Sequence, residues 1–417
     1  MMDETTLYEK ILGIGSPWFV SGIQFIAPDK TVEVNVELED GAPLSCPTCG
    51  QSAPRYDKRA RRWRHLDTCQ FKTQVVAEVP RIQCPEHGVQ TIEVPWAQDN
   101  SRYTVLFEAM VIRLLKESTT SSVSRMMGLS WNAVDGIMQR AVQRGLSRRG
   151  KPALAQLGVD EVAFQKRHEY VTVVHDARGH VLHVAEDRSG ASLGGFYEGL
   201  TAAQKAQIQS ISMDMWPAYI RATCEHIPEA EHKIAFDKFH VNQHLNQAVD
   251  MVRKQEHRQL MRQGDETLKG TKYGWLRNYD ELKRSLRREI EQLARAANKT
   301  GRAWVIKEHA KGLWCYIKRG WAERAWQQWY QWAIRSRLEP VKKVARMIKQ
   351  HLWGIINAIV LDVTNARAES INSQIKMLKD KARGFRNRER FKTAILFYCG
   401  GLSLMPEKYE MATHYNG

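Results

Sequence analysis

Leu157-Gly-Val-Asp-Glu-Val-Ala-Phe164 decides how the chain is read, because it has the apolar, β-rich pattern of a strand and yet carries Asp160 in its middle. A carboxylate in that place needs a cation or a donor beside it, since burying it unpaired is costly. Downstream, Tyr170–His175 and Val181–Ala185 read as two more strands separated by turn residues such as Ala177-Arg-Gly179. A helix, a strand over Ile208–Met213, a helix around Trp216–Cys224 and a strand over Lys233–Phe236 complete a β-β-β-α-β-α-β series. The fold class is therefore α/β, a mixed sheet covered by helices. Asp214 ends the fourth strand and Asp237 the fifth.

Upstream, residues 1–100 read as short strands and turns, among them Thr31–Leu38 and Thr73–Val79, in a module whose own core looks thin. Residues 101–150 read as a three-helix unit. Downstream, Val241 to about Val360 shows no strand pattern, and eight of the chain's 13 Trp lie between Trp275 and Trp353, so a large all-α insertion is expected over 245–360. The helices Ala366–Lys381 and Asn387–Tyr398 return the chain to the sheet, which takes 151–244 together with 361–417.

The chain has 417 residues, with 62 Lys and Arg against 46 Asp and Glu, a net charge of +16. Such a balance favours a polyanionic partner through phosphate neutralisation, although many basic proteins share it. The opening MMDETTLYEK carries acids before any apolar run, unlike a secretory signal, and the longest apolar stretch, near Leu352–Val363, is too short to span a bilayer. A cytoplasmic protein with no membrane contact is expected. Seven cysteines over so long a chain argue against a disulfide framework and for metal binding.

Cys46-Pro-Thr-Cys49-Gly is a zinc-knuckle turn, and Cys84-Pro-Glu-His87-Gly repeats its shape. Cys46, Cys49, Cys84 and His87 are the expected ligands of a structural Zn²⁺, with Cys69 and His65 as alternatives for one of them. Between the knuckles, Arg61, Arg62 and Arg64 offer phosphate contacts, or form a solvated charge run, with Trp63 for packing or stacking. Ser121–Met127, Gly128-Leu-Ser130 and Trp131–Leu146 have the spacing of a helix-turn-helix, with Ser130 as N-cap. Val123, Met127, Val134, Ile137, Met138 and Ala141 would bury the corner, leaving Asn132, Asp135, Gln139, Arg140 and Arg144 outward for DNA. A plain helical hairpin shares that pattern.

Glu369 lies in Thr364-Asn-Ala-Arg-Ala-Glu-Ser-Ile-Asn372, where Thr364 or Asn365 can cap a helix that carries the acid in its first turn. Taken singly, Asp160, Asp214 and Glu369 read sooner as a turn cap, a helix start and a solvated ion pair. As an ordered set, with Gly158–Phe164, Ser212–Tyr219, Phe236–Val241, Thr364–Lys376 and Gly384-Phe-Arg-Asn387 around them, the chain resembles the ISL-three-type insertion-sequence transposases over nearly its whole length. The resemblance implies a ribonuclease-H-like core, which the strand order also suits, interrupted by a helical insertion before the Glu. It implies that Asp160, Asp214 and Glu369 form an Asp-Asp-Glu triad holding Mg²⁺ or Mn²⁺, with Asp237 and His240 in secondary roles. Family members often have Gly where Ser370 follows the Glu. The implied activity is DNA cleavage and strand transfer at terminal inverted repeats, on double-stranded element ends and target, by a homodimer or higher multimer. A silent DNA-binding regulator and a structure-specific nuclease or resolvase are the alternatives.

Overall fold

Asp3 accepts a hydrogen bond from the Thr6 N–H (2.8 Å) and Gly13 adopts a left-handed conformation, and between these two stops the chain forms helix α1 (Glu4–Leu12). The computed structural model describes residues 3–150, 152, 154–165, 169–296, 298–363, 366–407 and 409. The chain divides into two compact units, Met1–Gly150 with Leu402–Gly417, and Lys151–Gly401. The residues from Leu402 onward, expected with the second sheet, group with the first unit instead, where Arg148 pairs with Glu407 at 2.8 Å.

In the first unit α1 is followed by β1 (Trp18–Ile26), β2 (Thr31–Leu38), β3 (Arg55–Thr68), β4 (Phe71–Cys84) and β5 (Gly88–Thr91). They form one sheet in the order β1-β2-β4-β3, with β5 on β4. β4 is longer than the Thr73–Val79 pattern suggests, and the core is not thin. Trp18, Trp63 and Trp96 are all buried, with Trp96 edge-on to both of the others at 5.0 and 5.4 Å. Three indoles and the surrounding valines supply the apolar area that a small sheet otherwise lacks.

Helices α2 (Val105–Glu117), α3 (Thr120–Met127) and α4 (Trp131–Ser147) complete this unit. The expected corner is present. Gly128 ends α3 in a left-handed conformation, and the Ser130 hydroxyl accepts from the Ala133 N–H (3.2 Å) to start α4. Val123, Val134, Ile137, Met138 and Ala141 are buried, while Met127 is only partly so.

The second unit opens with β6 (Gln156–Gln165), β7 (Glu169–Asp176) and β8 (Val181–Glu186), followed by α5 (Gly190–Glu198), α6 (Ala202–Gln207), β9 (Ser210–Met213), α7 (Pro217–His226), α8 (Ala230–Lys233) and β10 (Ile234–Phe236). The sheet order is β10-β9-β6-β7-β8. β7 runs antiparallel to both β6 and β8, whereas β6, β9 and β10 are mutually parallel.

Helices α9 (Lys238–Met261), α10 (Lys272–Leu276), α11 (Arg284–Ala296), α12 (Asn298–Gly312), α13 (Arg319–Ile334), α14 (Glu339–Gln350) and α15 (Leu352–Val360) follow without a strand among the described residues. They share one apolar core with the sheet, in which Trp275, Trp326 and Trp329 are buried. α15 is tied directly to β10. Asn357 donates to the carbonyls of Glu231 (2.7 Å) and Ile234 (2.9 Å), and Trp353 packs edge-on to Phe236 at 5.0 Å. Helices α16 (Ala366–Lys381) and α17 (Arg388–Cys399) close the unit by packing Ile371, Ile375, Phe391 and Ile395 on Val171, Val173, Val181 and Val184. No helix among the described residues is long and apolar enough to cross a membrane.

Candidate active site and metal centres

β9 pairs with β6 only as far as Gly158–Ser212, so beyond that point β6 runs on beside β7 alone. Asp160 stands two residues past the last pair and Asp214 two residues past its partner, just beyond the end of β9, so both acids follow the same rung of the sheet. The same register continues outward. Met213 pairs with Phe236, and the Asp237 N–H donates to the Met213 carbonyl (3.1 Å), so Asp237 lies beside Asp214 at the carboxyl end of the parallel strands.

Each acid is held by its own backbone. Asp160 Oδ1 accepts the Glu161 N–H (2.7 Å), Asp214 Oδ1 the Met215 N–H (2.6 Å) and Asp237 Oδ1 the Phe239 N–H (2.8 Å), the last as the N-cap of α9. His240, one turn into α9, sits between two carboxylates, with Nδ1 3.9 Å from Asp214 Oδ1 and Nε2 3.6 Å from Asp237 Oδ2.

α16 brings in the distant part of the sequence. Asn372 Nδ2 donates to Asp160 Oδ2 (2.6 Å), and Lys379 donates to the Ala163 carbonyl. Seven helical residues advance about 10 Å and three strand residues about the same, so the two contacts set α16 alongside β6 in the same direction. Glu369 is exposed in the first turn of α16, about 4.5 Å along the axis from Asn372 and on its side of the helix. The helix runs unbroken through Ser370. The proposed caps Thr364 and Asn365 lie outside the described residues.

Two groups that sequence reasoning passed over complete the site. Arg188, in the loop after β8, pairs with Glu161 and approaches Asp214 Oδ2 at 3.7 Å. Burial pushes the Glu161 carboxyl up to about 7, against the pull of Arg188 and with the charges of Asp214 and Asp160 adding to the rise. Nothing in the Glu186-Asp-Arg-Ser189 stretch announced Arg188. Asn372, by contrast, is legible as the residue three positions after Glu369, on the same helix face. Carboxylates are the donors that hard divalent ions take, and Asp214 has the Arg188 guanidinium at 3.7 Å and the His240 imidazole at 3.9 Å beside it.

Among the described residues, the group of three or more candidate ligands whose donor atoms all lie within 4.8 Å of one another is Cys46, Cys49, Cys84 and His87. The three carboxylates are not drawn that tightly together. The cysteine cluster passes a metric test for zinc. Zn–S bonds of about 2.3 Å and Zn–N bonds of about 2.0 Å make tetrahedral edges of about 3.8 Å between sulfurs and about 3.5 Å from sulfur to nitrogen. The observed edges are 3.7 Å for Cys49–Cys84, 3.8 Å for Cys46–His87 and 3.5 Å for Cys84–His87.

Both knuckles are built by backbone. Gly50 and Gly88 close the two turns at φ of 74° and 66°, a region that costs a side chain-bearing residue strain. Desolvation would raise the Cys46 thiol, but the backbone N–H groups of Cys49 and Thr48 bring it down to about 6. The alternative ligands fall away. His65 is buried and bonded through Nδ1 to Thr104 Oγ1 (2.9 Å), and Cys69 is exposed outside the cluster.

The expected DNA-facing residues divide. Asn132 and Gln139 are exposed on α4. Asp135 and Arg144, expected outward, are buried. Arg144 donates to Gln98 Oε1 (2.9 Å) and, with Arg140, pairs with Glu108, whose side chain is 1% exposed. α4 thus turns an ionic stripe, not only an apolar one, toward α2. On β3, Arg61 donates to the Ser101 carbonyl (3.3 Å), Arg62 pairs with Glu33, and Arg64 pairs with Asp67. Trp63 packs inside, which leaves it no stacking role. Removing the shared carboxylate with Glu108→Ala strands two cations, one of them buried, and is expected to cost about 3 kcal/mol of stability. A chemical denaturation series on the full chain reads this, and a loss below about 1 kcal/mol would contradict it.

Comparison with known proteins agrees in all three parts of the chain. A family profile described as a transposase, of the ISL3 DDE type, matches residues 157–395. Profiles for the helix-turn-helix domain of transposase family ISL3 and for the zinc-finger of transposase IS204/IS1001/IS1096/IS1165 match residues 92–142 and 42–87. The chain is 26% identical to the transposase for insertion sequence element IS1557 of Mycobacterium tuberculosis, covering 98% of each. It is 29% identical to the transposase for insertion sequence element IS1001 of Bordetella parapertussis, covering 87% of this chain and 90% of the relative.

Proposed function

Because the chain belongs to the ISL3 family of insertion-sequence transposases, we propose that it binds the terminal inverted repeats of its element and cuts and rejoins DNA at Asp160, Asp214 and Glu369. The observation that carries this reading is the register at Gly158–Ser212, the rung that both Asp160 and Asp214 follow, together with the Asn372–Asp160 bond, which brings the helix of Glu369 alongside. The strand order β10-β9-β6-β7-β8 with β7 antiparallel supports a ribonuclease-H-like core. In that core α16 supplies the third acid after the helical insertion 245–360.

Mg²⁺ or Mn²⁺ bound at these carboxylates supplies charge for an in-line displacement at phosphorus, activating the attacking hydroxyl and stabilising the leaving oxygen. The chain's part is placement. Backbone N–H groups fix one oxygen of Asp160, Asp214 and Asp237, the second oxygen of Asp214 faces Arg188, and His240 between Asp214 and Asp237 holds their separation. Asn372 holds Asp160 Oδ2, the oxygen through which Asp160 would ligate such an ion.

The zinc-finger and helix-turn-helix parts carry DNA binding, with Asn132 and Gln139 as the side chains open to base edges and the Arg61, Arg62 and Arg64 strand as phosphate contacts. Arg140 keeps a partly exposed guanidinium for phosphate, whereas Arg144 is committed to Glu108 and is assigned a structural role. Synapsis of two ends calls for a homodimer or higher multimer on double-stranded DNA, acting in the cytoplasm at the nucleoid.

A Mg²⁺ assay with cognate element ends tests the reading. Cleavage followed by joining to target supports it. Cleavage alone would make the protein a nuclease or resolvase, and binding without cleavage a regulator.

A further inference from the structure

Arg188 is held with unusual firmness for a loop residue. Asp187 before it is in a left-handed conformation (φ 65°), with its N–H bonded to the Tyr170 carbonyl (3.1 Å) and its own carbonyl receiving the Thr172 hydroxyl (2.6 Å). The Arg188 carbonyl in turn receives the Trp216 indole N–H (3.1 Å), and Ser189 after it caps α5. The side chain is fixed as well. Its guanidinium lies 4.0 Å from the centre of the Trp216 ring, pairs with Glu161, and reaches Asp214 Oδ2 at 3.7 Å.

These two ion pairs are not equivalent. The contact to Asp214 is longer than an N–H···O hydrogen bond, so it is electrostatic and easily exchanged, whereas the Glu161 pair and the Trp216 stack anchor the group. The charges of Asp214 and Asp160 both bear on Glu161, and Arg188, beside Glu161 and Asp214, offsets part of that repulsion.

We propose that Arg188 is a positioning residue of the acid site: it competes with the divalent ion for Asp214 in the DNA-free protein, and presents its fork to a phosphate oxygen of the DNA once the ion has taken that carboxylate. The inference rests on the acid-site reading above. A planar, anchored guanidinium matches two phosphate oxygens, which an ammonium does not. The arrangement couples the two ligands, because an ion that frees Arg188 from Asp214 also creates the phosphate contact.

The test uses the full chain and Mn²⁺ alone, with free Mn²⁺ read by electron paramagnetic resonance, beside cleavage of a duplex element end at saturating Mn²⁺. Arg188→Gln removes the competing charge, and DNA-free Mn²⁺ affinity is expected to rise about three- to fivefold, the size of a partly exposed ion pair. Cleavage is expected to fall about 100-fold, as when one fixed donor to a reacting oxygen is lost. Arg188→Lys keeps the charge without the fork, so Mn²⁺ affinity should stay near the wild-type value while cleavage remains impaired. If Arg188→Gln melts early, the Lys variant carries the decision: full rescue of cleavage by Lys overturns the phosphate role. Unchanged or weaker Mn²⁺ binding in a folded Arg188→Gln protein, with Asp214→Asn losing Mn²⁺, overturns the competition and leaves the acid site standing. Wild-type Mn²⁺ binding by Asp214→Asn would instead remove the acid site itself.

Discussion

Asp214→Asn is expected to slow DNA cleavage by about 10³-fold or more while changing affinity for the element ends by less than about twofold. The substitution keeps the shape of the side chain and an oxygen for the Met215 N–H, so β9 and the start of α7 have no reason to move. What it removes is one negative donor at the end of β9, where His240 lies between Asp214 and Asp237. The zinc and helix-turn-helix parts belong to the other compact unit and make no use of Asp214. A gel-shift titration beside a cleavage time course measures both quantities. Cleavage within about tenfold of wild type would mean that Asp214 holds no ion in the reaction.

Removing zinc is the second large effect. In small zinc modules the apparent metal affinity amounts to about 10–16 kcal/mol of folding free energy. Here the four ligands sit at the junctions of the module: Cys84 ends β4, Gly88 begins β5, and Cys46 and Cys84 are packed with Leu44, Ala53 and Ile82. Cys46→Ser, or a strong chelator on the wild type, is expected to release the metal and unravel residues around both knuckles. Element-end binding should be lost, while the helical signal from α9–α15 persists because that core lies in the other unit. Metal analysis, circular dichroism and gel shift on one preparation decide it. Full zinc content and end binding in Cys46→Ser would contradict the ligand set. The metal should also come off more readily as pH falls, since protonated thiols do not ligate.

Local rules made much of this structure legible. Thr31–Leu38 alternates, and Ala366–Lys381 combines an acidic first turn with a basic last turn; both elements have the boundaries read from sequence. The knuckles were visible because zinc imposes a spacing that chance seldom supplies. Helix α1 was missed although Asp3 and Gly13 bracket it, because its apolar face is short. The Arg61–Arg64 stretch reads as phosphate contacts or a solvated charge run, yet Trp63 and His65, both buried, already have the two-residue period of a strand. Arg144 was turned the wrong way for a different reason. An apolar stripe tells which face of α4 is buried only if every buried partner is apolar, and Glu108 on α2 makes a cation welcome there. Arg188 had no local signature at all, since its partners, Glu161, Asp214 and Trp216, come from three separate places in the chain.

The proposed cleavage chemistry depends on one set of carboxylates holding the ions. The most direct measurement is anomalous diffraction from crystals of the full chain bound to a duplex element end in Mn²⁺. Density for Mn²⁺ bridged by Asp160 and Asp214, with Glu369 reaching in from the first turn of α16, is the expected result. Mn²⁺ bound elsewhere, or a pocket at Asp160 and Asp214 without metal while the DNA end is engaged, would contradict it.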